Sequence, residues 1–206
     1  MDKIQDIAQK TTFKKSQLIF QEGDRADGLY MVATGKIKVF KLSAEGKEQI
    51  LHIYGPGHTF GEVPVFEGKH FPATSMALEK SEIIFLPRNR FVELIATTPA
   101  LSMNMLADLS RRLREFTIQV ENLSLKEVPA RLAAYVITLA EEQKTEDGVE
   151  LPISKAQLAN LIGTTPETIS RMLKKMGSKA LIRTQGKNIQ ILDMDRLCEL
   201  SESGRL

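Results

Sequence analysis

The sequence predicts an α+β chain: an N-terminal β-roll (jelly roll), one long helix, and a C-terminal winged helix-turn-helix. Three observations predict it. Short apolar runs separated by glycine corners fill residues 12–87. After Pro99, apolar residues recur at spacings of 3, 4, 3, 4 and 3. Near the C-terminus, two short helix patterns joined at a glycine precede a hairpin pattern.

The β-roll rests on Leu29-Tyr30-Met31-Val32 before Gly35, then Ile37 and Val39 alternating with Lys36 and Lys38. Gly46, Ile50-Leu51-His52-Ile53, Gly55-Pro56-Gly57 and Ile83-Ile84-Phe85-Leu86 continue the rhythm to Pro87. Even spacing with glycine corners suits a small barrel or roll rather than βαβ units, because tight corners need positive φ. From Pro87, which suits a helix start, Phe91, Leu94 and Ile95 share one helical face.

The long helix carries Leu106, Leu109, Leu113, Phe116, Val120 and Leu123 as a narrow stripe. Arg111, Arg112, Arg114, Glu115, Gln119 and Glu121 crowd its flanks, leaving a seam suited to a second copy of the chain ahead of plain core packing. After Glu127-Val128-Pro129, the run Arg131–Ala140 predicts another helix, and the polar segment Glu141–Glu150 a loop. A domain boundary is expected near Leu125–Val128.

Ser154 with Gln157 forms a capping-box start, Leu158, Ala159, Leu161 and Ile162 supply a buried face, and Gly163 ends that helix. Thr165 caps the next, Pro166 takes its first position, and it runs to about Met176. Ile169, Met172, Leu173 and Met176 fall on its core face; Glu167, Ser170, Arg171 and Lys174 fall opposite. An arginine there can donate twice to guanine O6 and N7, and a glutamate can accept from cytosine N4. The competing account is a Glu167–Arg171 ion pair at i, i+4. Leu181–Leu192 then predicts a hairpin, with Arg183 and Lys187 placed as a wing near phosphates or simply solvated.

Charge distribution supports the first account. The 206-residue chain has a net charge of only +2. From Ser154 to Gln190, however, seven basic residues (Lys155, Arg171, Lys174, Lys175, Lys179, Arg183, Lys187) face one acid, Glu167. Such a block is the footprint of a phosphate-binding surface, with Lys155, Thr165, Thr168, Lys174, Lys175, Arg183 and Lys187 as candidate contacts. The single cysteine, Cys198, excludes an internal disulfide and a multi-cysteine zinc or iron–sulfur site. The mixed charges of Met1-Asp2-Lys3-Ile4-Gln5-Asp6 and the short apolar runs give no signal peptide and no membrane span, so the expectation is a cytoplasmic chain with no membrane partner.

The sequence resembles the cyclic-AMP receptor/fumarate-nitrate regulator (Crp/Fnr) family along nearly its whole length. The N-terminal likeness rests on Gly23-Asp24, Gly28–Val32, Gly35–Val39 and Gly57-His58-Thr59-Phe60-Gly61-Glu62. The C-terminal likeness rests on Leu158–Gly163 and Glu167-Thr168-Ile169-Ser170-Arg171. The resemblance implies a cyclic-nucleotide-binding-like effector domain at 1–98, a dimerisation helix and hinge at 99–126, and a DNA-binding domain at 127–206. It further implies a homodimer on double-stranded palindromic DNA, with RNA polymerase as a partner. Relatives carrying Glu-x-x-Ser-Arg typically read TTGA half-sites, and Glu167, Ser170 and Arg171 match that signature.

The departures concern the effector. In cyclic-AMP-binding relatives an arginine and a serine hold the phosphate, but Pro72 and Ala73 align there. A threonine that meets the purine aligns with Phe116, and the neighbouring serine with Thr117. Gly61 and Glu62 remain. The expected effector, in the pocket between β-roll and long helix, is therefore an unknown small molecule other than cyclic AMP, less charged or aromatic. Haem, ligated by one of the three histidines, is the alternative; the cysteine cluster of iron–sulfur members is absent. An enzyme of cupin type using His52, His58, Glu62 and His70 is a rival, though it lacks the His-x-His pair of such sites. A regulatory module of a larger machine is a third reading, disfavoured by the helix-turn-helix.

Overall fold

A computed structural model describes residues 2–145 and 147–205. Met1, in the charged opening of the chain, Glu146, inside the expected loop, and Leu206 lie outside the described residues. The chain divides into two compact units, Met1–Arg111 and Arg112–Leu206.

The first unit is built on eight strands: β1 (Gln9–Phe13), β2 (Leu18–Phe20), β3 (Gly28–Thr34), β4 (Ile37–Leu42), β5 (Glu48–Tyr54), β6 (Thr59–Phe60), β7 (Thr74–Ala77) and β8 (Ser81–Pro87). They form two four-stranded antiparallel sheets, β1-β8-β3-β6 and β2-β7-β4-β5, the expected β-roll. Strand alternation sorts the side chains. One cluster joins both sheets through Phe20, Val32, Ile37, Phe60, Phe71 and Ile83. The residues between them, Leu29 and Leu86, join Val65 and Phe91 in a second cluster with the helices. At the β3–β4 corner, Gly35 has φ of 86°, and a Cβ there would lie 2.2 Å from Ser81 Oγ. Only glycine fits both conditions.

The expectation of an all-β stretch over 12–87 needs two corrections. Pairing begins earlier, with Gln9 opposite Phe85. A short helix, α2 (Val63–Glu67), also interrupts the strands, following α1 (Asp2–Gln5) at the start of the chain. Proline in its first turn and Gly68, at φ of 70°, as its left-handed cap explain it. Helix α3 (Arg88–Thr97) follows β8, with Pro87 as the residue before its first turn and Phe91 and Leu94 buried as expected. Arg88 ties the region together, donating from Nε to the Val65 carbonyl at 2.6 Å. Helix α4 (Pro99–Leu125) begins in the first unit and ends in the second.

The second unit contains α5 (Val128–Gln143), β9 (Gly148–Glu150), α6 (Lys155–Ile162), α7 (Pro166–Ser178), β10 (Ile182–Gln185), β11 (Asn188–Ile191) and α8 (Met194–Ser203). Leu132, Val136, Leu158, Ile169, Met176 and Leu197 form its buried centre. The expected loop at Glu141–Glu150 is corrected: α5 continues to Gln143, and β9 pairs antiparallel with β11 to make the wing a three-stranded sheet. Two features create that strand. The Gln143 side chain donates to the Glu150 carbonyl and accepts its N–H, at 2.8 and 3.0 Å. Gly148 meets Ile189 so closely that a Cβ would stand 2.8 Å from its carbonyl oxygen. Helix α8 is not among the sequence expectations, although Asp193 accepts from Arg196 N at its start and Leu197 and Leu200 bury one face.

Candidate nucleic-acid interface

Local chemistry sets both helices of the helix-turn-helix. Ser154 Oγ accepts from Gln157 N at 3.2 Å, while Gln157 Oε1 accepts from Ser154 N at 2.8 Å, the full capping box. Gly163, at φ of 71°, closes α6 with its N–H on the Ala159 carbonyl. Leu158, Ala159 and Ile162 are buried, but Leu161 is only half-buried, because it falls at the edge of the arc those three define. Thr165 then caps α7 by accepting from Thr168 N at 3.3 Å, with proline in the first turn.

On α7 the two faces separate cleanly. Ile169, Leu173 and Met176 are buried and Met172 is half-buried, while Glu167, Ser170, Arg171 and Lys174 are exposed. The Glu167–Arg171 pair is not formed among the described ion pairs. Instead the Glu167 carboxyl is held below its ordinary value, first by its own backbone N–H and then by the Thr165 hydroxyl. Ser170 donates its hydroxyl to the Pro166 carbonyl at 2.9 Å, which leaves its oxygen lone pairs outward as acceptors.

Around this face, Lys155 sits exposed at the start of α6, Lys174 and Lys175 are exposed on α7, and Thr165 is exposed at its cap. Thr168 is half-buried, its Oγ1 3.2 Å from that of Thr165. In the wing, Arg183 is exposed on β10 and Lys187 is exposed in the turn. Gln190, a residue to which the sequence assigns no role, lies opposite Arg183 and accepts from its guanidinium at 3.5 Å. The two-residue turn Gly186-Lys187 fixes that register, so the pairing is in principle readable. The Lys187 carbonyl also accepts from Leu151 N at 2.9 Å, holding the wing tip to the segment after β9.

The candidate effector residues divide between the two units. In the first, Gly61 (φ of 72°) lies against three rings: a Cβ there would meet Phe71 at 3.1 Å and Phe20 and Tyr30 at 3.3 Å. Phe20 and Phe71 stack with centroids 3.8 Å apart. Burial, then the carboxylates of Asp27 and Asp24, push the Tyr30 phenol up from its ordinary value. Glu62 and Ala73 are buried and Pro72 is exposed. The nearby cations already have partners: Lys41 donates to the Pro72 carbonyl at 2.9 Å and pairs with Glu22, and Lys69 pairs with Glu67 at 3.1 Å. His52 lies 4.3 Å from the Tyr54 ring, His58 Nδ1 is 3.2 Å from the Gly55 carbonyl, and His70 bridges Arg25 through the backbone.

In the second unit, Phe116 is exposed and Thr117 donates to the Leu113 carbonyl of its own helix at 2.9 Å. Along the α4 stripe, Leu106, Leu113 and Val120 are 57%, 70% and 63% exposed, while Leu109 and Leu123 are half-buried. Among the described residues no helix is long and apolar enough to cross a membrane.

A β-roll followed by a capped helix-turn-helix, with a polar second helix and a basic wing, defines a DNA-binding regulator with a ligand-type domain at its N-terminus. Residues 10–98 match the cyclic nucleotide-binding domain, and residues 130–200 the Crp-like helix-turn-helix domain. The chain is 31% identical over 195 residues to the CRP-like cAMP-activated global transcriptional regulator of Mycobacterium tuberculosis, covering 92% of this chain and 86% of that protein. It is 29% identical over 206 residues to the transcriptional activator protein Anr of Pseudomonas protegens, covering 98% and 84%. Its fold matches that of FixK2 from Bradyrhizobium japonicum with a TM-score of 0.85, at 22% identity and 96% and 98% coverage. The chain belongs to the Crp/Fnr family: it is a transcription regulator rather than an enzyme.

Proposed function

We propose that the protein binds a palindromic DNA site with TTGA-like half-sites as a homodimer, controlled by a small effector other than cyclic AMP. The observation that carries this reading is the exposed Glu167, Ser170 and Arg171 face of α7, backed by a buried face on the same helix. Arg171 presents its planar fork to guanine O6 and N7, Glu167 accepts from cytosine N4, and Ser170 offers its oxygen to a base donor. Lys155, Thr165, Thr168, Lys174, Lys175, Arg183 and Lys187 set the register on phosphates.

By role, residues 1–98 sense, 99–126 dimerise and hinge, and 127–206 read DNA. The exposed apolar stripe on α4 supports the dimer, since such a seam is stable in water only against another apolar surface. Two copies joined there present two α7 helices to a site of matching symmetry. An effector with different affinities for two dimer arrangements shifts the population competent for DNA, through residues 123–128. RNA polymerase is the partner through which binding acts on transcription.

A buried cyclic phosphodiester needs a cation or several donors. Pro72 has no N–H to give, Ala73 has no polar side chain, and Lys41 and Lys69 pair with Glu22 and Glu67. Selection of randomised duplexes by the purified protein tests the reading, run with and without cell-extract metabolites. Enrichment of a two-fold site containing TTGA is expected, and enrichment of no palindrome under any condition overturns it.

A further inference from the structure

At the carboxyl end of α7, the second unit has a cavity of about 180 Å³ lined by Lys179, Leu181, Arg196, Glu199, Leu200 and Arg205. Its floor is apolar, with Leu181 and Leu200 almost fully buried. Its rim carries three cations from three stretches of chain: the cap of α7, the first turns of α8, and the tail beyond Gly204. One acidic residue, Glu199, shares the lining.

One cation is already anchored. The Arg196 guanidinium donates to the Lys179 carbonyl at 3.3 Å and lies 3.8 Å from the Asp193 carboxylate. Among the described residues, neither the Lys179 ammonium nor the Arg205 guanidinium has a carboxylate partner. Three cations against Glu199 leave the lining with a surplus of positive charge, which an anion seated among them neutralises. Two guanidinium forks with a lysine point charge match the oxygens of a carboxylate or a phosphate.

We propose that this cavity is a binding site for a small anion, a carboxylate or a phosphate. The volume falls below the roughly 300 Å³ at which drug-sized ligand sites begin, which suits a small anion better than a nucleotide. At 1.5 Å per residue, Lys179 stands about 18 Å along the helix from Glu167, so the cavity lies at the far end from the proposed reading residues. An anion there competes with the Lys179 carbonyl for Arg196, so its presence is felt in the last turn of the reading helix.

The test is amide-resolved NMR of the DNA-free, full-length protein. Inorganic phosphate and lactate are titrated separately, with ionic strength held constant by sodium chloride. Saturable shifts are expected at Lys179, Leu181, Arg196 and Leu200 with at least one of the two, and which one responds assigns the chemistry. In Arg205→Gln, on the exposed tail, binding is expected to be about tenfold weaker, while operator affinity without added anion stays unchanged. Arg196→Gln is expected to abolish the shifts. Non-saturating shifts with both anions, or equal binding by Arg205→Gln, overturn the site and leave the DNA-binding reading untouched.

Discussion

Thr165 and Glu167 act on one another across the first turn of α7. The Thr165 oxygen caps the helix through Thr168 N, and its hydroxyl helps hold the Glu167 carboxyl below its ordinary value. A carboxylate with a depressed value contributes fully above the ordinary carboxylate range, and its contribution is lost as pH falls through the depressed value. Glu167→Gln is therefore expected to be less stable than the parent at neutral pH, with the two converging in acid. Urea unfolding across pH checks this; a constant difference down to acid would remove the cap from Glu167's role.

Arg171 and Lys187 are expected to fail differently. Arg171→Ala costs about 1–3 kcal/mol at the cognate site and relaxes preference at one guanine per half-site. Lys187→Ala weakens all sequences alike and lowers the slope of log affinity against log salt by about 1. Competition binding on cognate and single-mismatch duplexes separates the two patterns.

Leu113→Asp or Val120→Asp places a charge in the proposed seam, where it would be buried without a partner at a cost of several kcal/mol. Dimerisation is expected to fail, and palindromic binding with it. Sedimentation showing an intact dimer for both variants would remove α4 from the interface.

Calorimetry with cyclic AMP is expected to show no binding in the micromolar range. The reasons are those of the proposed pocket, in which Pro72 and Ala73 take the place of the phosphate-holding arginine and serine and Phe116 that of a hydroxyl. Micromolar binding with a matching gain in operator affinity would overturn this.

Gly148→Ala puts a methyl group 2.8 Å from the Ile189 carbonyl oxygen and 3.0 Å from Gln190 Cα. Because both are backbone atoms, β9 must shift, and a loss of about 1–3 kcal/mol is expected in urea unfolding.

What is legible in the sequence follows from short-range rules. The Ser154 and Thr165 caps, the Gly163 turn and the two faces of α7 are each written within a few residues, and all of them hold in the structure. The features that escape the sequence depend on partners distant along the chain. Strand β9 exists because Gln143 and Gly148 meet Glu150 and Ile189, which no local pattern announces. Helix α2 is too short for periodicity to register, leaving only its proline and Gly68 as signals. Helix α8 does carry local signals, an aspartate cap and the Leu197–Leu200 spacing, but the hairpin pattern just before it masks them.

The pairing of β9 with β11 makes the helix-turn-helix a closed loop. The chain before α6 and the chain after α7 are zipped together, from Gly148 opposite Gln190 to Glu150 opposite Asn188. The entropy of closing that loop is met once, and everything between its ends then folds or opens with it. Amide hydrogens in α7 and in β9 should therefore exchange through one shared opening event, with similar protection. A substitution at the wing then reaches the proposed base-reading side chains without touching them, through the stability of the ring that holds them.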